Sequence, residues 1–126
     1  MTFFFDNNLS ARLAEILRIL GVDVIHLRDR FPQDVKDVDW IPIVGSEGLI
    51  VVTADDRLRR NVAERAAIRQ YTVSVIYLPK NYLDRGLWEQ AEFMVRHWRK
   101  IESQLDRLSP GFQVRSTDNG KLETLS

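Results

Sequence analysis

Residues 3–10 read FFFDNNLS, an apolar triplet followed by a polar triplet. The triplet Phe3–Phe5 predicts a short strand buried on both faces, because a continuous apolar run bounded by turn residues is typical of a central strand in a parallel sheet. Asp6-Asn7-Asn8 predicts the turn that ends this strand. Residues 49–53, LIVVT, predict a second buried strand that is closely followed by Asp55. Two strands of the predicted sheet therefore lead into aspartate.

Strands and helices alternate along the rest of the chain. After the first strand, the predicted elements are a helix that ends at Gly21, a strand at 22–27, an irregular connection at 31–39, a short helix that starts near Asp37, a strand at 49–53, a helix over 56–69 and a strand at 73–78. This alternation predicts an α/β fold of three layers, α/β/α, with a central parallel sheet. Ligands of such sheets bind at the carboxyl ends of the strands.

A long amphipathic helix is predicted over residues 87–108, because its apolar residues recur at spacings of four and three. Its Trp88 and Trp98 are expected to pack onto the sheet, and any apolar face left there could dock a partner protein or a second copy of the chain. Asp118-Asn119-Gly120 favours a β-hairpin, although a loose tail also fits this segment. The chain therefore divides into a domain at residues 1–108 and a C-terminal hairpin or tail at residues 109–126.

Composition excludes several classes of protein. The chain has 126 residues, of which 44% are hydrophobic, so it can bury one core without disulfides. It contains no cysteine, which excludes a zinc–thiolate site and a cysteine nucleophile. Lysine plus arginine and aspartate plus glutamate both total 18, so any attraction to a polyanion must come from local clusters. Neither a signal peptide nor a membrane span is predicted, and we expect a cytoplasmic protein.

Aspartates are concentrated where the predicted strands end. Asp6 and the pair Asp55-Asp56 follow two strands, and the predicted helix near Asp37 brings a third group that includes Asp39. Carboxylates without histidine or cysteine partners form an all-oxygen site, which suits Mg²⁺ or Mn²⁺. A phosphodiester is the substrate that most needs such an ion, because the ion neutralises its charge and activates water.

Helix capping is the alternative explanation for these aspartates. Asp is a preferred N-cap residue, so Asp6, Asp37, and Asp55 or Asp56 could each satisfy backbone donors at the start of a helix. Three acidic positions at one predicted edge favour a shared site over three separate caps. Asn7 and Asn8 are interpreted as turn formers, and Thr53 either orients a carboxylate or ends its strand.

The chain resembles the PIN-domain nucleases, especially stand-alone PIN-like proteins related to VapC-type toxins. The resemblance covers about the first 80 residues and depends on residues 3–10, 12–14, 20–29 and 50–55. It implies that residues 1–108 form a metal-dependent ribonuclease domain, the toxin of a toxin–antitoxin pair, with an RNA substrate and a protein antitoxin. The catalytic acids it implies are Asp6, Asp55 and either Asp39 or Asp37, and the implied ligands of Mg²⁺ or Mn²⁺ are Asp6, Asp37, Asp39, Asp55 and Asp56.

The sequence departs from this family at one position of the implied site. Many relatives carry a further acid two residues beyond the aspartate of the Thr-x-Asp motif, whereas this chain has Arg57 there and the additional Asp56 beside Asp55. The departure implies one tightly held metal ion, with a second recruited by the substrate phosphate. It also makes a catalytically silent binding module an alternative. A receiver-like phosphate-signalling domain is a further alternative, but Asn7-Asn8 stand where its acidic pair is expected.

Arginines are concentrated beside the predicted acids. Residues 57–69 contain five arginines and one glutamate, a net charge of +4. Arginine binds phosphate in a bidentate manner, so this segment and Lys80 are predicted to hold a nucleic-acid backbone, although a charged helix face can also serve solubility alone. His26 and His97 are interpreted as packed or surface residues. The predicted contacts to nucleic acid come from Arg57, Arg59, Arg60, Arg65 and Lys80.

Overall fold

A computed structural model describes residues 1–125 and confirms the α/β prediction. The strands are β1 (Phe3–Phe5), β2 (Val24–His26), β3 (Ile50–Thr53), β4 (Ser74–Tyr77), β5 (Gln113–Ser116) and β6 (Leu122–Thr124). The α-helices are α1 (Ala11–Ile19), α2 (Leu27–Arg30), α3 (Asp37–Ser46), α4 (Arg57–Arg60), α5 (Val62–Gln70) and α6 (Leu87–Leu105). A 3₁₀ turn spans Tyr82–Asp84.

The strands form one sheet in the order β2-β1-β3-β4-β5-β6. Neighbouring strands are parallel except β5 and β6, which form an antiparallel hairpin at the edge of the sheet. The chain passes from β1 to β2 on one side and then crosses to β3 on the other, so the strand order reverses at β1. Ligand crevices in open α/β sheets form at such a reversal, outside the carboxyl ends of the strands.

The first strand is buried on both faces, as its three phenylalanines predict. Side chains alternate between the two faces of a strand, so Phe3 and Phe5 pack into the core beneath α1 and α6, whereas Phe4 packs into the core beneath α3 and α5. The Phe4 ring lies 5.1 Å from the Trp40 ring of α3, between ring centroids. The strand is therefore fixed between two apolar layers, and this fixes the position of Asp6, the next residue.

A close approach of α3 to the end of α5 requires a glycine. A Cβ atom added at Gly45 would lie 2.8 Å from the backbone oxygen of Tyr71, so even alanine does not fit without a shift of the backbone. This contact fixes α3 against the sheet layer, and α3 begins with Asp37.

The structure corrects several details of the predicted elements. The helix predicted over residues 56–69 is two helices, because Asn61 adopts extended backbone angles between α4 and α5. The long helix ends at Leu105 instead of residue 108. Trp98 packs against Phe3 as predicted, but Trp88 is 77% exposed in the first turn of α6, so its predicted packing onto the sheet is wrong.

Candidate functional site

Asp6 lies at the carboxyl end of β1 and is only 5% exposed. Its Oδ1 accepts a hydrogen bond from the backbone N–H of Asn7 at 2.7 Å, and its Oδ2 accepts from the side-chain amide of Asn8 at 3.2 Å and from the hydroxyl of Thr53 at 3.1 Å. These donors hold the carboxylate in one orientation. The helix that follows is capped by Ser10 instead, so Asp6 does not act as a helix cap.

Asn8 and Thr53 join the ends of β1 and β3. The Asn8 side chain donates to the Thr53 hydroxyl at 2.9 Å and accepts from the backbone N–H of Ala54 at 3.1 Å. The Thr53 hydroxyl also accepts from the backbone N–H of Asp55 at 3.1 Å. Thr53 therefore orients a carboxylate, one of the two roles predicted for it. The role of Asn8 was missed, because a turn residue shows no sign in the sequence of a partner 45 positions away.

Burial raises the pKa of Asp6 to about 6. Desolvation of the carboxylate is the largest cause, and the negative charges of Asp37 and Asp55 add to it, whereas the hydrogen bonds from Asn7 and Thr53 act in the opposite direction. A buried carboxyl with a strongly raised pKa, located at a strand-order reversal, has the features of a functional group.

Asp37 is the acid that α3 brings to this site. It is half-buried in the first turn of the helix, where its Oδ1 accepts a hydrogen bond from the Trp40 indole at 3.0 Å. Desolvation raises its pKa, and the nearby charge of Asp55 contributes in the same direction. The sequence contains a signal for this choice: Asp37 lies three, four and seven positions before the buried Trp40, Ile41 and Val44, and so shares their helix face.

Asp39 is exposed in the same helix, and its charge is not among those that shift the pKa of Asp6 or Asp37. Of the two acids that the sequence left open, Asp37 is the one whose charge is among the main causes of the raised pKa of Asp6, and the choice of the middle catalytic acid stays a prediction. Helix capping explains neither residue, since Lys36 occupies the N-cap position of α3.

Asp55 follows β3 and forms an ion pair with Arg57. Its Oδ1 accepts from the backbone N–H of Arg57 at 2.9 Å, and its Oδ2 accepts from the Arg57 guanidinium at 2.6 Å. The first of these bonds satisfies a backbone donor at the start of α4, as the capping explanation expects, although Asp56 occupies the N-cap position and its side chain makes no capping bond. The side-chain hydrogen bond to Asp55 is the main cause that raises the pKa of Arg57, and the charges of Asp37 and Asp6 make smaller contributions. Arg57 is thus a cation placed among three carboxylates.

One comparison with known proteins identifies the family of the chain. Residues 1–80 match the sequence profile of the family described as PIN like domain. The chain belongs to this PIN-like domain family. No curated protein and no solved structure matches the chain. Membership indicates a nuclease-type function in general and a domain that binds nucleic acid.

The donor set of the PIN-like domain fits a hard divalent cation in its chemistry. Every charged donor at the site is a carboxylate, and the mutual repulsion of Asp6, Asp37 and Asp55 is the kind that a bound cation relieves. Within residues 1–125, however, no group of three or more His, Cys, Asp or Glu side chains is arranged to hold a metal ion. Arg57 acts as the counter-ion of Asp55 in this arrangement.

Asp56, named as a metal ligand from the sequence, faces a different neighbour. Its carboxylate pairs with Arg115 of β5. Arg115 and Arg59 both lie over the ring of Tyr77, at 5.4 and 5.8 Å from its centroid. The Tyr77 hydroxyl is buried without a hydrogen-bond partner in residues 1–125. The structure therefore places Asp56 in an ion pair with Arg115 beside this tyrosine.

The predicted nucleic-acid contacts are also divided by the structure. Arg57 pairs with Asp55, and Lys80 is exposed beyond the end of β4. A groove on α4 and α5 is lined by Arg59, Arg60 and Arg65.

The buried His26 accepts a hydrogen bond from the backbone N–H of Arg28 at the start of α2, so its predicted packing role is correct. Among the helices of residues 1–125, none combines the length and apolar character needed to span a bilayer.

Proposed function

We propose that this PIN-like domain is a metal-dependent endoribonuclease that hydrolyses RNA phosphodiesters. The observation that carries the proposal is the buried carboxylate of Asp6, held by Asn8 and Thr53 at the reversal of strand order. Two further acids from other elements, Asp37 and Asp55, act on it electrostatically. Acids at this position of an α/β sheet, in a family of nuclease type, support hydrolysis of a phosphodiester.

In this proposal Asp6, Asp37 and Asp55 would hold Mg²⁺ or Mn²⁺ after a rearrangement of their side chains, because within residues 1–125 they are not arranged around a metal ion. When bound, such an ion neutralises phosphate charge and lowers the pKa of a coordinated water. The chain itself contributes positioning: Asn8 and Thr53 hold the Asp6 carboxylate, and the Trp40 indole holds Asp37. The Arg57 guanidinium, which is exposed at the rim, has the geometry to bind two oxygens of a substrate phosphate when it leaves Asp55.

A narrower biological role is proposed from the family resemblance alone. The similarity to VapC-type proteins supports a toxin that acts on cellular RNA and is neutralised by a protein antitoxin. Expression of the chain should then arrest growth, and co-expression of a small DNA-binding protein encoded beside it should restore growth. Normal growth under expression of an active nuclease would indicate a housekeeping enzyme instead.

A catalytically silent binding module is the second candidate, and the Arg57–Asp55 ion pair favours it. A guanidinium at 2.6 Å from a carboxylate oxygen competes with a metal ion for the same charge. A silent module would bind RNA with or without Mn²⁺ and leave it intact. The two candidates therefore differ in a single measurement, the appearance of cleavage products.

The test is cleavage of end-labelled single-stranded RNA in Mg²⁺, in Mn²⁺ and in EDTA. We expect products only with a divalent ion, and Asp37→Asn should slow cleavage by about a hundredfold, the loss typical of removing one charge-stabilising group. The matched control is Asp39→Asn, which removes the same charge from an exposed residue two positions after Asp37. For this control we expect the parental rate of cleavage. Intact RNA with either ion would reject the nuclease proposal.

A further inference from the structure

A concave surface beside α4 and α5 is surrounded by unpaired positive charge. Four arginines line a groove of about 540 Å³ together with Thr72 and Gln113, and no acidic side chain of residues 1–125 lines it. We call this surface the arginine groove, defined by Arg59, Arg60, Arg65 and Arg69. Arg69 belongs to the segment 57–69 that the sequence predicted, but the contribution of β5 was not predicted, because the pairing of β4 with β5 brings Gln113 next to Val73 across 40 positions of sequence.

The four groove arginines form no ion pair with any side chain of residues 1–125. Arg57 and Arg115, which lie close to the acids, are both paired. The single acid of this segment, Glu64, does not line the groove. Four guanidinium groups without counter-ions in a neutral chain form a local field that attracts a polyanion.

The groove adjoins the acid site through Tyr77. The Arg59 guanidinium lies over the ring of Tyr77 at 5.8 Å, and the negative charge of Asp6 helps to raise the pKa of the hydroxyl of the same tyrosine. Helix α4 connects the two surfaces as well, since it carries Arg57 at the acids and Arg60 at the groove. A strand whose phosphate lies at the acids can therefore continue along α4 into the groove.

We propose that the arginine groove binds the phosphate backbone of the RNA strand next to the position of cleavage. This inference rests on the proposed nuclease function and adds where the substrate runs. The amide N–H of Gln113 is already used by the carbonyl of Val73 at 2.9 Å, so the free donors of the groove are chiefly guanidinium groups. Guanidinium groups bind phosphates irrespective of base, so the groove holds RNA without reading its sequence.

The experiment compares two triple variants that lose the same charge. In the groove variant Arg60, Arg65 and Arg69 become Gln; Arg59 is retained because it packs on Tyr77. In the control, Arg96, Arg99 and Arg107 become Gln on and just after α6, outside the groove. Fluorescence anisotropy in EDTA, where no cleavage occurs, gives the affinity for two RNA oligonucleotides of unrelated sequence over a series of salt concentrations.

We expect the groove variant to lose affinity equally for both RNAs. The magnitude of the slope of log K against log salt should decrease by about 2, since each lost phosphate contact to a single strand contributes about 0.7. The control variant should keep the parental slope. Equal slopes for the two variants, or no RNA binding by the parent, would overturn the proposal. If the triple variant does not fold, Arg65→Gln and Arg69→Gln alone should each lower the slope by about 0.7.

Hydrolysis of a small phosphodiester, too short to reach the groove, separates this inference from the nuclease proposal. The groove variant should hydrolyse it at the parental rate. A parent that hydrolyses it while binding RNA independently of the groove would contradict only the groove. A parent that binds RNA through the groove and hydrolyses nothing would contradict only the nuclease.

Discussion

The acid site and the arginine groove hold opposite charges in different ways. Asp6 is short, buried and fixed by three hydrogen bonds, and its burial raises its pKa to about 6. The groove arginines are long, and none forms an ion pair within residues 1–125. Fixed, desolvated charges suit the positioning of a reacting group, whereas exposed charges suit attraction of a polyanion. A chain of zero net charge thus separates the two kinds of charge across one short helix, α4.

The largest effect is expected at Asp6. Asp6→Asn should reduce cleavage by about a thousandfold or more, because the change removes a charge whose transition-state contribution is several kcal/mol. Its affinity for RNA in EDTA should equal that of the parent, because binding belongs to the groove. Rates of cleavage and anisotropy titrations on the same preparations check both statements. A variant that cleaves normally, or one that loses RNA binding in EDTA, would remove the distinction between the two regions.

The second effect is a dependence of stability on pH. The pKa of Asp6 is about 6 in the folded chain and 3.8 in the reference state, so the folded state binds this proton more tightly. Ionisation of Asp6 therefore opposes folding, and stability is lost as the pH rises from about 4 to above 6. This difference in pKa corresponds to a loss of about 3 kcal/mol in the free energy of unfolding at neutral pH.

Urea unfolding in EDTA at a series of pH values measures this effect. The free energy of unfolding of the parent should fall relative to that of Asp6→Asn over this range. Asp39→Asn is the control, because Asp39 is exposed and should leave the parental pH dependence unchanged. If the free energy of unfolding of the parent and that of Asp6→Asn change in parallel with pH, the Asp6 carboxylate is not desolvated.

A smaller effect is expected at Arg57, which belongs to the acid site although the sequence groups it with the other arginines. Arg57→Gln should strengthen Mn²⁺ binding by about fivefold, since it removes an exposed ion pair of about 1 kcal/mol that competes for Asp55. Calorimetric titration with Mn²⁺ measures it. Arg60→Gln removes the same charge from the same helix and should leave Mn²⁺ affinity unchanged. Equal behaviour of the two variants would place Arg57 with the groove.

The smallest effect is expected at Lys80, which the sequence predicted as a phosphate contact but which does not line the groove. Lys80→Gln should leave the salt dependence of RNA binding unchanged, whereas Arg65→Gln should lower its slope by about 0.7. Anisotropy titrations of both variants in EDTA provide the comparison. If Lys80→Gln weakens the salt dependence of RNA binding, the RNA path extends beyond the arginine groove towards the end of β4.

Local sequence determined the sheet and one of its functional acids. A strand is recognised from a few neighbouring residues, and the triplet Phe3–Phe5 together with residues 49–53 has the composition of strands buried on both faces. Asp6 follows the first of these strands, so its position at the sheet edge could be predicted as well. The break at Asn61 was missed, because both flanking segments favour helix and only the backbone angles of one residue separate them.

Tertiary structure alone decided which charges meet. Asn8 reaches Thr53 across 45 positions, and Arg115 reaches Asp56 across 59. Neither pair has a local signature, because hydrogen bonds and ion pairs between elements depend on strand order and on how each helix is rotated. The same reason explains why the sequence could count five arginines in residues 57–69 but could not separate Arg57, paired with Asp55, from the arginines of the groove. Composition sets the amount of charge in a segment, and packing sets which surface receives it.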